Sequence, residues 1–295
     1  PSQAARVRAG FLSGALSGWL VANEGAGFAR RFCRRLTGRI RRMTPLKQLL
    51  LIAALGAASG QAQPREITGE SVAEFFDAAF VTQNHAYSLV GLTVSVVHRS
   101  EVIFKKGYGF ADLEKRVPVD PDRHLFRIAS ITKTFTATAV MQLVEQGQLD
   151  LEADVQSYLD FDIPKTYSEP IHLKHLLTHT AGFEEYNFGG VADEPEQIVP
   201  LREFLIEHMP ARVNRPGAFH SYSNYGSALA GYIVAQTSGM PWADYVKAKL
   251  LDPLGMTQTN AHQPRTDGHR QNHAISYSQS GDTFEAQPFH FFADA

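Results

Sequence analysis

Cysteine is almost missing from this chain. Cys33 is the one copy in 295 residues, and it lies near the N-terminus. The body therefore has no disulfide, no cysteine nucleophile and no thiolate metal site. Long hydrophobic runs are missing too: the apolar stretch from Leu49 to Leu55 is too short to span a bilayer comfortably. There is no internal repeat, no low-complexity tract and no His-Glu-x-x-His. Nor does the body have an excess of basic charge. Residues 1–62 hold ten Lys/Arg against one acid, Glu24; from totals of 28 and 30 this leaves 18 basic and 29 acidic groups, about −11. An acidic body argues against a nucleic-acid partner.

What is present is ordinary for a globular protein: 44% apolar and 20% charged residues. The length fits one large domain or two intimate ones. Residues 43–62 have the form of a secretory signal peptide. Met43-Thr-Pro-Leu-Lys47 makes a positive start, the Leu49–Leu55 run follows, and small residues precede Ala62. The basic block from Arg30 to Arg42 precedes it, and residues 1–42 are expected to be an upstream extension foreign to the fold. Residues 63–295 are then the exported domain, periplasmic or secreted. Any membrane contact is expected through export or an N-terminal anchor.

Within that domain, Glu70 to Gln83 has helical spacing, with Val72, Phe75, Phe76, Ala79 and Phe80 on one side. Leu89–His98 and Val102–Phe104 are apolar and β-branched runs around an Arg99-Ser100 turn, which predicts a β-hairpin continuing to Asp112. Ser130 to Gln146 reads as a helix ended by Gly147. Further helices are expected at Leu173–Thr178, Leu201–His208, Asn224–Thr237 and Trp242–Leu251, and strands at Ala274–Tyr277 and Thr283–Phe284. The pattern predicts an α/β (α+β) fold: an antiparallel sheet flanked by helices, with an all-helical domain inserted and the sheet incomplete.

The chemistry is concentrated in Ser130-Ile-Thr-Lys133 and Tyr222-Ser-Asn224. Ser130 and Lys133 are three apart, so a helix puts both on one face, with Ser130 at its N-terminus. There the helix dipole favours a developing oxyanion. A serine hydroxyl is a weak nucleophile until a base takes its proton. Lys133 can do so when uncharged, and Tyr222 is a second proton carrier. Asn224 can donate an amide hydrogen bond to a substrate carbonyl, while Ser223 is expected to point into the fold. Each motif alone is common by chance. Their context, a serine opening a long apolar helix and a tyrosine between the Pro216-Gly217 turn and another helix, is what raises their meaning.

Phe126-Arg-Ile-Ala-Ser130-Ile-Thr-Lys133, Leu176-Leu-Thr-His179-Thr-Ala-Gly182 and Tyr222-Ser-Asn224-Tyr-Gly226 together resemble the class C β-lactamase-like serine hydrolases. That family includes β-lactamases, D-alanyl-D-alanine carboxypeptidases, D-aminopeptidases and esterases. Gly147-Gln-Leu-Asp-Leu151 and Pro253-Leu-Gly-Met256 extend the likeness, which covers roughly Phe76 to Asn260. The resemblance implies that Ser130 is acylated, that Lys133 is its partner, that Tyr222 is general base and leaving-group acid, and that Asn224 positions substrate. It leaves the division of labour between lysine and tyrosine open. The family also carries a later strand with Lys-Thr-Gly or His-x-Gly, and neither tripeptide occurs here. The C-terminal part of the domain is accordingly expected to be missing.

The expected function is serine hydrolysis through an acyl-enzyme, with an ester, D-amino peptide or β-lactam as the small-molecule or peptide substrate, and with no cofactor. Two rivals remain. A serine that acylates without turnover would make a penicillin-binding receptor. His172, His175 and His179, at helical spacing, could instead ligate zinc.

Overall fold

The computed structural model describes residues 66–185, 191–264, 270–281 and 283–292. The expected extension 1–42 and export signal 43–62 lie outside these residues. Among the described residues, no helix is long and apolar enough to cross a membrane.

The first described element is helix α1, Gly69–Tyr87. Thr68 caps it: the Thr68 hydroxyl accepts from Ser71 N, and Ser71 Oγ accepts from Thr68 N at 3.0 Å. This satisfies two backbone donors that a helix start leaves open. The predicted hairpin follows as β1, Gly91–His98, and β2, Glu101–Asp112. Arg99 and Ser100 both have positive φ, 51° and 68°, which gives the turn the twist that a two-residue hairpin needs. The short β3, Val117–Pro118, pairs with β2, so the sheet order is β1-β2-β3, antiparallel throughout. The apolar side of α1 covers β2: Phe76 stacks on Phe104 with ring centroids 5.7 Å apart, and Phe80 on Tyr108 at 4.7 Å.

The helical part holds the main core. It comprises α2, Thr132–Glu145; α3, Leu173–Leu177; α4, Leu201–Glu207; α5, Asn224–Ser238; and α6, Trp242–Val246. Helix α5 is apolar nearly all round, as a central helix must be. Leu229, Ala230, Ile233 and Val234 are buried along it and pack with Ala139, Val140 and Leu143 of α2, Leu173 and Leu176 of α3, and Leu205 of α4. Gly147 ends the α2 segment with φ +70°, a conformation that costs other residues. The helix expected over Trp242–Leu251 changes pitch after Val246 and finishes as one wider π turn, Lys247–Leu251.

Small antiparallel pairs complete the described fold. Strand β4, Val191–Ala192, pairs with β7, Phe291–Phe292; β5, Tyr277–Ser280, pairs with β6, Thr283–Ala286. The strand expected at Ala274–Tyr277 begins only at Tyr277. Before it, Ala274 N donates to Leu125 O at 2.9 Å and Ile275 N to Ala111 O at 2.8 Å. That segment runs beside the end of β2 instead of forming a ladder of its own. The fold is the mixed α/β arrangement of helices and small antiparallel sheets that the sequence pattern predicts.

Leu229 is fully buried at the centre of this core. Leu229→Ala is expected to cost about 2–5 kcal/mol of unfolding free energy, from lost transfer energy plus the cavity left behind. Urea denaturation measures this. A loss below about 1 kcal/mol would mean that α5 does not organise the core.

Candidate active site

Ser130 is delivered by a turn rather than by the α-helix itself. Ala129–Ile131 forms one 3-10 turn, and α2 begins only at Thr132. Ala129, just before the serine, has φ +45°, a left-handed conformation for a residue with a Cβ. Such strain costs on the order of 1–3 kcal/mol and persists where surrounding structure imposes it. It leaves Ser130 exposed at the mouth of α2. The next turn carries Lys133, as the three-residue spacing requires. Lys133 Nζ donates to Ser130 Oγ at 3.1 Å.

The second motif arrives in extended backbone. Ser223 has φ −138° and ψ 116°, so its neighbours Tyr222 and Asn224 project to the side opposite its own. Ser223 points inward, is 3% exposed, and its Oγ accepts from Gly226 N at 3.0 Å, capping α5. Tyr222 and Asn224 meet the first motif. Tyr222 OH donates to Ser130 Oγ at 2.6 Å, and Asn224 Oδ1 accepts from Lys133 Nζ at 2.7 Å. The ammonium also lies 4.9 Å from the Tyr222 ring centroid. All four residues singled out in the sequence thus converge, although some ninety residues separate the two motifs.

The electrostatics of this cluster centre on Tyr222. Burial pushes its phenol up, but hydrogen bonding with Lys133 and Ser130 and the Lys133 charge outweigh burial, and the net shift is below its ordinary value of 10.0. Ser130 Oγ therefore touches two proton carriers, one a phenol held below its ordinary value.

Two further residues buttress the site. His179 has φ +54°, and its Nδ1 accepts from Ser223 N at 3.2 Å. Its ring lies 4.5 Å from that of Tyr222, tilted by 33°. Burial, then the nearby His220 and Lys133, hold its imidazole below the usual range, which suits an acceptor. Gly182 turns the same loop with φ +85°, where a Cβ would stand 2.0 Å from Asn214 O. Only glycine fits there. Beyond this turn Glu185 accepts two hydrogen bonds from Asn224, from the backbone N at 2.9 Å and from Nδ2 at 2.6 Å. Sequence reading missed Glu185, which looks like one more solvated acid in Glu184-Glu185.

The three histidines considered for zinc do not face one another as a set. His175 Nδ1 accepts from His172 N at 3.1 Å, His172 Nδ1 contacts Glu152 O, and His179 turns toward Ser223. Among the described residues, no group of three His, Cys, Asp or Glu is arranged to hold a metal ion. A cavity of about 220 Å³ is lined by Arg127, Arg270, His273 and Phe289 among others.

Comparison with known proteins places the chain by family and fold. The family model described as Beta-lactamase matches residues 76–295. Esterase EstB of Burkholderia gladioli is 33% identical over 213 residues, which cover 68% of this chain and 54% of that protein. The solved structure of a D-amino acid amidase from Ochrobactrum anthropi SV3 superposes with a TM-score of 0.60 at 27% identity, covering 71% of this chain and 59% of that one. The octameric penicillin-binding protein homologue from Pyrococcus abyssi gives 0.62 at 26% identity, covering 74% and 50%. The chain spans between 40% and 54% of the length of the first curated relatives it matches.

Proposed function

We propose that this chain, which belongs to the β-lactamase family of hydrolases, cleaves acyl substrates through a covalent intermediate on Ser130. The observation that carries this reading is the single contact point at Ser130 Oγ, shared by Tyr222 OH at 2.6 Å and Lys133 Nζ at 3.1 Å. In the resting state both donate to Oγ. When the phenol ionises, the Ser130 hydroxyl donates to it instead, and its proton passes to Tyr222 as Oγ attacks the substrate carbonyl. The tetrahedral intermediate collapses, the carbonyl to leaving-group bond breaks, and the leaving group takes the proton back. Water then repeats the sequence on the acyl-enzyme. Lys133 keeps positive charge beside the phenolate, and Asn224 positions the substrate carbonyl.

The substrate is a small molecule or peptide with an activated carbonyl. An ester is the expected first choice, because its leaving group needs the least protonation, and because a relative at 33% identity is named an esterase. The test is turnover of p-nitrophenyl butyrate, D-phenylalanine p-nitroanilide and nitrocefin. Hydrolysis of the ester over many equivalents, faster than the anilide, is expected. A stoichiometric adduct with nitrocefin and no turnover of any of the three would make the protein a penicillin-binding receptor instead. Activity lost to a chelator would revive the zinc reading.

A further inference from the structure

We propose that Glu185 is a positioning residue that holds the Asn224 side-chain amide in the one orientation presenting Oδ1 to Lys133. The inference rests on the reading of Ser130, Lys133 and Tyr222 as the acylation machinery. An asparagine amide has two unlike ends, and turning it over exchanges an acceptor for a donor. Asn224 uses both ends here: Oδ1 accepts from Lys133 Nζ at 2.7 Å, and Nδ2 donates to Glu185 Oε1 at 2.6 Å. The other carboxylate oxygen, Oε2, accepts the Asn224 backbone N–H at 2.9 Å. A carboxylate in this arrangement offers acceptors only, so the donor end of the amide must face it. The acceptor end is then left for the ammonium. The reversed amide would set Nδ2 against Lys133 and Oδ1 against Glu185, two repulsive contacts in place of two attractive ones.

The clamp is built into the fold. Asn224 is the first residue of α5, where a helix exposes backbone N–H groups and favours negative charge. Glu185 is brought there by the Gly182 turn, the buried Phe183, and the bond from Glu184 N to Ala211 O at 2.8 Å. Its reach to Asn224 spans 39 residues of sequence. Glu185 also acts on Tyr222 through its charge, raising the phenol against Lys133, which lowers it. The groups facing that phenol are Ser130, Lys133, His179 and Glu185, with His220 behind His179.

The test is the rate at which a fluorophosphonate labels Ser130 in E185Q, E185A and E185D, measured across pH beside melting temperatures. In E185Q the glutamine oxygen keeps the backbone N–H, and its NH₂ opposes Nδ2. The amide of Asn224 then turns over and meets Lys133 donor to donor. E185A removes the clamp without imposing the wrong orientation. The expected result is a plateau rate lower by roughly 10- to 100-fold in E185Q and by less in E185A. In both, the ascending limb of the pH profile moves to lower pH, because the charge that raises Tyr222 is gone. E185D keeps the charge and is expected to keep the limb in place. A purely structural brace predicts the opposite order, since glutamine retains one acceptor and alanine none. E185A labelling as slowly as E185Q or more slowly, an unmoved limb, or unchanged labelling in all three would overturn the proposal. Unaltered protein that labels at Ser130 while the variants fail this order confines the failure to Glu185; unaltered protein that does not label at Ser130 takes both readings down.

Discussion

Ser130→Ala is expected to abolish covalent labelling and to cut ester hydrolysis by roughly 10⁶-fold, the scale seen when an acyl-enzyme nucleophile is deleted. Stability is expected to fall by about 2 kcal/mol at most, the weight of the two hydrogen bonds that an exposed Oγ accepts from Lys133 and Tyr222. Ser130 is exposed, and its turn is held by backbone, with Ile131 N donating to Ile128 O at 3.0 Å. What remains is a site that still binds substrate but has no oxygen to acylate. Steady-state hydrolysis and thermal melting on the same preparation check both halves. A tenfold loss or less, with the fold intact, would mean that another group attacks the carbonyl.

Lys133→Ala and Tyr222→Phe carry the second large effect. Each is expected to lower the acylation rate by about 10²–10⁴-fold, the usual weight of a positioned proton carrier. The double variant is expected to be within about tenfold of the worse single, because residues acting as one unit are strongly non-additive. The geometry gives the reason. Tyr222 donates to the same Oγ that Lys133 reaches, and Lys133, together with Ser130, brings the phenol down. Without Lys133, burial dominates and pushes Tyr222 up. The ascending limb of the pH profile in K133A is therefore expected at higher pH than in the unaltered protein, the reverse of its movement in E185Q. Stopped-flow acylation across pH measures this. Multiplicative losses and an unmoved limb would show two independent structural residues.

Local pattern carried much of the fold. The hairpin was legible because Arg99-Ser100 separates two β-branched runs, and the central helix, expected at Asn224–Thr237 and found at Asn224–Ser238, because that stretch is apolar nearly all round. The serine and lysine could be placed on one face by counting alone. Tyr222 and Asn224 were legible through their place between the Pro216-Gly217 turn and the next helix, and through the family resemblance of Tyr222-Ser-Asn224-Tyr-Gly226. Other features leave no local trace. The left-handed Ala129 is imposed by the turn it sits in, since alanine has no preference for that conformation. Glu185 and His179 reach their partners across 39 and 44 residues, so only folding reveals that one holds Asn224 and the other Ser223. The change of pitch after Val246 likewise follows from packing, because Trp242–Leu251 reads as one helical stretch.

The most direct test of the account is to find where an acyl-like adduct sits. Trypsin cuts after Arg127 and Lys133 and releases the hexapeptide Ile128–Lys133, in which Ser130 is the one serine. After reaction with a fluorophosphonate, mass spectrometry with fragmentation is expected to place a single adduct on Ser130 within this peptide. An adduct on another residue, or an unmodified Ile128–Lys133 from protein whose hydrolysis has been fully blocked, would contradict the assignment of Ser130 as the nucleophile.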